Sequence, residues 1–267
     1  MNAPNQLKLA TTNHYQLITD HYQLITDHQP SLAPGTLYLI PVPLTDTDAP
    51  ALLAPDLART QHLRYYIAER GKTARRWLRN YRLPVPQSDL TVRELDKHQP
   101  DRGLRDLLQP LLDGQDGGLM SEAGCPGVAD PGALVVAEAH RLGIPVVPLV
   151  GPSSLLLALM ASGMNGQQFA FVGYLPVKPN ARVQRLRQLE QQSRREQCTV
   201  LFIETPYRNR TLIQTLLDTL SAGTRLCIAA DVTGAQQYIR TQPVGEWRRA
   251  DDLPDLHKVP TVYLIAA

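Results

Sequence analysis

The chain has 267 residues, enough for one large or two small domains and enough buried surface to dispense with disulfide or metal staples. Apolar residues are 43% and charged residues 19%, which excludes a fibre and global disorder. Lys plus Arg is 27 against 25 Asp plus Glu, so the net charge of +2 does not announce a nucleic-acid binder, though it leaves room for a local basic face.

Residues 1–34 differ from the rest. Residues 14–20 read HYQLITD and residues 21–27 repeat it. Two copies are too few to stack as a solenoid. No carboxylate or cysteine is placed to complete a metal site with His14, His21 and His28. The segment reads as a flexible polar tail with a local duplication.

Regular structure is expected from Gly35 onward. Residues 36–40 form an apolar, β-prone run stopped by Pro41-Val42-Pro43. A second strand is expected at 63–68, then a basic helix at 72–82 and a third strand at 90–95. Leucines at helical spacing mark 104–112. A short strand at 118–120 opens into a loop dense in glycine and proline. A helix at 133–142 ends at Gly143, a suitable C-cap, and an apolar strand follows at 144–150. This alternation predicts a mostly parallel sheet with crossover helices. A second series follows: helices at 153–162, 181–197 and 210–220, the last ended by Gly223. Strands are expected at 169–172, 199–203, 226–230 and 260–266, with 237–241 as a hairpin arm. The fold class is α/β, with one domain over 35–150 and a second, partly antiparallel, over 151–267.

Cys125, Cys198 and Cys227 are odd in number and widely spaced, which fits neither a disulfide framework nor a zinc cluster. No run approaches the roughly 18 apolar residues of a membrane span, and no signal peptide is evident. A cytoplasmic protein without metal is expected.

In open α/β sheets ligands bind at the carboxyl ends of strands. Four such segments stand out: 41–48, 121–132, 151–154 and 204–208. The second, SEAGCPGVADPG, holds three glycines and two prolines in twelve residues. Glycine lets backbone approach a ligand closely. Ser121 and Glu122 suit a ligand's hydroxyl or ammonium group, and Asp130 is placed to cap the next helix. No GxGxxG, Walker A, GxSxG or HExxH motif is present, which argues against a dinucleotide site, an NTPase, a serine hydrolase and a zincin.

Residues 121–132, then IPVVPLVGPSS at 144–154, FVGYLPVK at 171–178 and FIETPYR at 202–208, resemble the tetrapyrrole methylase superfamily. The nearest branch is the one containing the bacterial 16S rRNA ribose 2′-O-methyltransferases, which carries SDAGTPxISDPG, VPLPGPSA, FxGFLPxK and FYESPHR in this order. The resemblance implies two α/β domains with S-adenosylmethionine held folded in the cleft between them, in a homodimer. It implies cofactor contacts from Pro43, Ser121, Ala123, Gly124, Cys125, Val128, Ser153, Ser154, Glu204 and Pro260. Glu69, Arg70, His98 and Arg208 are the candidates for acceptor contact and catalysis. Such a site need only align acceptor, methyl and sulfur and exclude water, so no particular catalytic side chain is demanded.

The N-terminal motifs depart from that branch. TPIGNL is replaced by VPLTD at 42–46, AEDTR by AERGK at 68–72, and HEHNE by DKHQP at 96–100. Arg70 reverses the charge of the branch's Asp, so it cannot make the same contact. A paralogue with a changed acceptor site is expected. Residues 178–196 carry six basic residues against Glu190 and Glu196, and Lys72, Arg75, Arg76 and Arg79 form a second basic face, with Trp77 and Tyr81 as nearby aromatics. These faces suit RNA phosphates, or are solvated helix faces. The expected function is S-adenosylmethionine-dependent methylation of RNA. The alternatives are a tetrapyrrole or other small-molecule methylase, and a SAM- or RNA-binding paralogue without activity.

Overall fold

The structure, a computed structural model, describes residues 33–267 except 48, 50, 82, 97, 98 and 100. The duplicated heptads and His98 lie outside the described residues.

Residues 37–148 build one parallel sheet. Its strands are β1 (Leu37–Ile40), β2 (Tyr65–Ala68), β3 (Thr91–Glu94), β4 (Gly117–Met120) and β5 (Val146–Pro148), in the order β3-β2-β4-β1-β5. The crossovers carry α1 (Ala54–Thr60), α2 (Gly71–Asn80), α3 (Leu104–Leu112) and α4 (Gly132–Arg141). β2 (YYIA) and β4 (GGLM) are buried along their whole length, as strands covered on both faces must be. Neighbours in a strand point to opposite faces. Tyr66 therefore joins Tyr38, Ile40, Trp77 and Leu78 on one face, while Tyr65 joins Leu37, Ile67, Leu108 and Val135 on the other. The Tyr65 hydroxyl donates to the Leu107 carbonyl at 2.7 Å, so its burial leaves no polar atom stranded.

The second sheet orders β6 (Phe169–Tyr174), β7 (Thr199–Ile203), β8 (Arg225–Ala230), β9 (Tyr238–Pro243) and β10 (Thr261–Ala266) as β6-β7-β10-β8-β9. β6 and β7 are parallel and the other pairs antiparallel. α6 (Pro179–Glu196), α7 (Asn209–Thr219) and the short α8 (Val244–Trp247) cover one face with Leu186, Leu189, Leu212, Leu216 and Trp247. There Phe202 stacks on Tyr263 with ring centroids 5.8 Å apart. α5 (Ser154–Ser162) covers the other face through Ala158 and Leu159.

The α/β class, the parallel first series and the antiparallel β8–β9 arm match the sequence expectations. Three points differ. α1 and α8 were not foreseen; both are too short to show a helical period. Gly223 does not end α7, which stops at Thr219 because Leu220 is already extended. Trp77 and Tyr81 are core residues rather than surface aromatics: Trp77 is 2% exposed, and the Tyr81 hydroxyl donates to the Pro41 carbonyl at 2.7 Å.

β5 passes to α5 through Gly151-Pro152. A Cβ on Gly151 would fall 2.1 Å from the Pro41 Cβ, so only glycine lets the loop after β1 and the loop after β5 touch.

Candidate functional site

The loops after β1, β4, β5, β7 and β8 converge on one cleft of about 270 Å³, near the lower end of the roughly 300–1,000 Å³ usual for small-molecule sites. Leu44, Thr45 and Ala123 contribute from the first sheet's loops and Ser154 from the start of α5. Tyr174, Ile203, Glu204, Pro206, Ala229, Asp231, Val232, Pro260, Thr261 and Val262 contribute from the second sheet. Most of this wall is apolar, and two carboxylates interrupt it.

Glu204 directly follows β7 and its side chain is fully buried. Its Oε1 accepts from the Arg208 guanidinium at 2.5 Å and from the Thr205 N–H at 2.7 Å. Its Oε2 is buried with no partner. That hydrogen bond from Arg208 holds the guanidinium above its ordinary pKa. A buried carboxylate with one open oxygen suits a ligand carrying positive charge or a donor group. Asp231, the second carboxylate, follows β8 with a left-handed φ of 47°. Its Oδ2 accepts from the Gln236 N–H at 2.8 Å, and its own N–H donates to the Pro260 carbonyl at 2.9 Å. Sequence reasoning missed Asp231; its only signal was a carboxylate one residue past a buried strand.

The loop after β4 is held rather than free. Val42 and Gly124 exchange backbone hydrogen bonds at 3.0 and 3.1 Å, which ties it to the loop after β1. Gly124 has φ 72°, and a Cβ there would lie 3.1 Å from Leu44. The buried Ser121 hydroxyl is turned inward, 3.2 Å from the Ala123 and Gly124 carbonyls. The Cys125 thiol approaches the Pro152 carbonyl at 3.2 Å, and burial pushes its pKa up, so it is a poor nucleophile. Asp130 caps α4 from one position early, accepting from Gly132 at 2.7 Å and Gly127 at 2.8 Å. Burial raises its carboxyl pKa despite those two bonds.

Of the ten cofactor candidates, Ala123, Ser154, Glu204 and Pro260 line the cleft. Pro43 is buried, and the next two residues take the lining positions. Ser121, Gly124 and Cys125 shape the loop behind Ala123, Ser153 precedes α5, and Val128 lies exposed on the far side of the glycine turn. Of the acceptor candidates, Arg208 is drawn to Glu204 at the cleft. Arg70 sits at the end of β2 and pairs with Glu122 at 2.9 Å, both partly exposed. The Glu69 N–H donates to the Met120 carbonyl at 3.3 Å, which places Glu69 beside the same strand end. His98 lies outside the described residues. Among the described residues no group of three or more His, Cys, Asp or Glu is placed to hold a metal ion.

A model of the tetrapyrrole (corrin/porphyrin) methylases matches residues 37–247, most of the chain, with the whole first sheet and every strand of the second but β10. The chain belongs to the tetrapyrrole methylase family. Methyl transfer is the chemistry of this methylase family, and S-adenosylmethionine is its general donor. The chain is 34% identical over 161 residues to the ribosomal RNA small subunit methyltransferase I of Vibrio cholerae, covering 59% of this chain and about half, 54%, of that relative. It is 32% identical over 197 residues to the protein of the same name from Xylella fastidiosa, covering 74% of this chain and 68% of that relative. The crystal structure of the methyltransferase CobJ has the same fold, with a TM-score of 0.58 at 19% identity over 87% of this chain and 94% of that one. The tetrapyrrole methylase fold thus has its two sheets where the two α/β series were expected.

Proposed function

We propose that this tetrapyrrole methylase transfers the methyl group of S-adenosylmethionine to RNA, at a ribose 2′-hydroxyl of the small ribosomal subunit. The single observation that carries the reading is the cleft: four family motifs converge there, beside a buried carboxylate with an open oxygen. The residues present fit the cofactor. Ile203, Ala229, Val232 and Val262 offer an apolar wall to a flat base, and Glu204 and Asp231 offer acceptors to hydroxyl or ammonium groups. When bound, the cofactor supplies an activated methyl on a positive sulfur. The protein's part is to hold the donor, exclude water from the apolar floor and seat the acceptor in line. Ala123 and Ser154 approach from the first sheet's side, so both halves close on the ligand.

RNA as acceptor is supported by the names of the two relatives and by α2. There Lys72, Arg75, Arg76 and Arg79 are all exposed on one short helix. Arg76 is partly used, paired with Asp46 at 2.9 Å and lying over the buried Trp77 ring. α6 is less suited than its composition suggests, because Arg182 is buried on the helix's inner face. We further propose a homodimer in the cytoplasm. α5 is apolar on both sides: Ala158 and Leu159 are buried, while Met160 is 78% exposed and Leu156 also faces out. A helix apolar all round calls for cover, and a second copy would give it. No helix among the described residues is long and apolar enough to cross a membrane.

The test uses S-adenosylmethionine labelled in the methyl group, with small ribosomal subunits and, separately, tetrapyrroles as acceptors. Label in one ribose of the rRNA is expected. Transfer to a tetrapyrrole alone would overturn the RNA reading, and tight cofactor binding with no transfer would leave the non-catalytic paralogue.

A further inference from the structure

Three aromatic side chains among the described residues are exposed; one of them, Tyr174 at 58%, lines the cleft, and another, Tyr207 at 72%, directly follows the lining residue Pro206. Buried aromatics are the rule, since a ring carries a large apolar area. An exposed ring that is also held in place is therefore informative.

Tyr207 is held. It lies in the tight turn Pro206–Arg208 directly after β7, closed by the Arg208 N–H donating to the Thr205 carbonyl at 2.9 Å. The Pro206 carbonyl accepts from the Lys258 N–H at 3.2 Å, which locks this turn to the segment before β10. That segment brings two groups onto the ring. The His257 imidazole meets it edge-on, with centroids 6.3 Å apart and planes at 74°. The Lys258 ammonium lies 5.9 Å from its centroid, within reach of a cation–π contact. Lys258 reaches there from a left-handed φ of 63°. The ring keeps most of its surface free even so. Pro206, its neighbour, lines the cleft, and Tyr174 lines it too, close enough to act electrostatically on Arg208.

We propose that Tyr207 is the stacking platform for an unpaired nucleotide of the RNA acceptor, with Tyr174 as the second wall and Lys258 contacting the adjoining phosphate. This rests on the RNA reading given above. Single-stranded RNA is recognised by stacking bases on aromatic faces with cations along the backbone. Tyr207, His257 and Lys258 supply both kinds of group within one side-chain layer. A base stacked on Tyr207 leaves its sugar beside Pro206, at the edge of the cleft where the methyl donor is held. The arrangement gives the acceptor site to the second sheet, which explains how the altered first-sheet motifs are compatible with an RNA substrate.

The experiment uses the full chain and a fluorescein-labelled, pyrimidine-rich RNA decamer, read by anisotropy. S-Adenosylhomocysteine titration of each variant monitors the fold and the cofactor cleft. Tyr207→Ala is expected to weaken RNA binding about tenfold or more, as removal of one stacked base does. Tyr207→Phe keeps the ring and restores binding. Lys258→Ala lowers the slope of log affinity against log salt by about 0.7, one phosphate contact on a single strand, whereas Tyr207→Ala leaves that slope unchanged. Wild-type affinity in Tyr207→Ala, with RNA still bound and methylated, overturns the platform and leaves the RNA reading standing. A wild-type chain that binds S-adenosylhomocysteine but no RNA overturns both.

Discussion

Asp116 and Glu204 are both carboxylates with two or more donors, yet they do different work. Glu204 leaves its buried Oε2 without a partner, while both oxygens of Asp116 are used. The Thr36 N–H donates to Asp116 Oδ1 at 2.6 Å and His62 Nε2 lies 3.0 Å from Oδ2, joining the start of β4 to the start of β1. Burial pushes the Asp116 pKa up, but these bonds together outweigh it and the net shift is downward. A carboxyl whose folded pKa is depressed adds stability that is complete above its unfolded value of about 3.9. That stability is lost as pH falls through the folded value. Asp116→Asn should therefore lower the urea midpoint at neutral pH and flatten its fall below about pH 4. Midpoints measured from pH 3 to 7 check this, and equal slopes in both proteins would refute it. At this scale Glu204 and Arg208 were legible, because a motif carries them. Asp231 was not, because its approach to the cleft depends on a left-handed turn that Asp tolerates without any glycine signature.

Among the elements, α7 begins with a residue that fixes the neighbouring chain. Asn209 is fully buried, and its Nδ2 donates to the Leu256 carbonyl at 2.9 Å and the Val259 carbonyl at 2.8 Å. Its Oδ1 accepts from the Tyr263 hydroxyl at 3.0 Å. One side chain thus sets the segment that delivers Lys258 and Pro260 to the cleft edge. Asn209→Ala removes one of two donors from each carbonyl, since Leu256 still accepts from the Val259 N–H and Val259 from the Thr261 hydroxyl, and takes the acceptor from the buried Tyr263 hydroxyl, so it should cost about 1–3 kcal/mol. It should also weaken S-adenosylhomocysteine binding without touching the ligand, which denaturation and calorimetry on the same variant separate. α3 was legible from its leucines, three of which, Leu107, Leu108 and Leu111, are buried. α1 was not: one of its seven residues is buried, so it leaves no apolar stripe to read. β6 ran two residues past its expected end because Gly173, at φ 70°, bends the strand without ending it.

For the whole molecule, the cleft is framed by contacts between residues far apart in sequence: Val42 with Gly124 and Pro41 with Gly151 among the first sheet's loops, and Leu44 against the second sheet's cluster of Ala229, Val232 and Val262. Local patterns reveal strands and the loops at their ends, so 41–48, 121–132, 151–154 and 204–208 were legible as binding segments, whereas that they meet in one cleft was implied only by the family resemblance. A ligand that bridges both halves stabilises the folded chain by mass action. S-Adenosylhomocysteine at about 100 times its Kd should add roughly 2.7 kcal/mol. That raises the melting temperature by roughly 5–10 °C. An unchanged melting temperature would show that the cleft does not hold it.

The place of β10 in the second sheet has a consequence for how the protein is made. The first sheet has all five strands once residue 148 has been added. The second has its centre filled by the strand that is translated last, with β7 and β8 waiting on either side of the gap. About 120 residues separate the two events, roughly 6–24 s of synthesis at ordinary rates. During that interval a finished half hangs from the ribosome beside a half whose two strand pairs expose open edges. A ribosome that stops short of residue 261 leaves a product with one sound sheet and one sticky one, a natural client for chaperones and proteases.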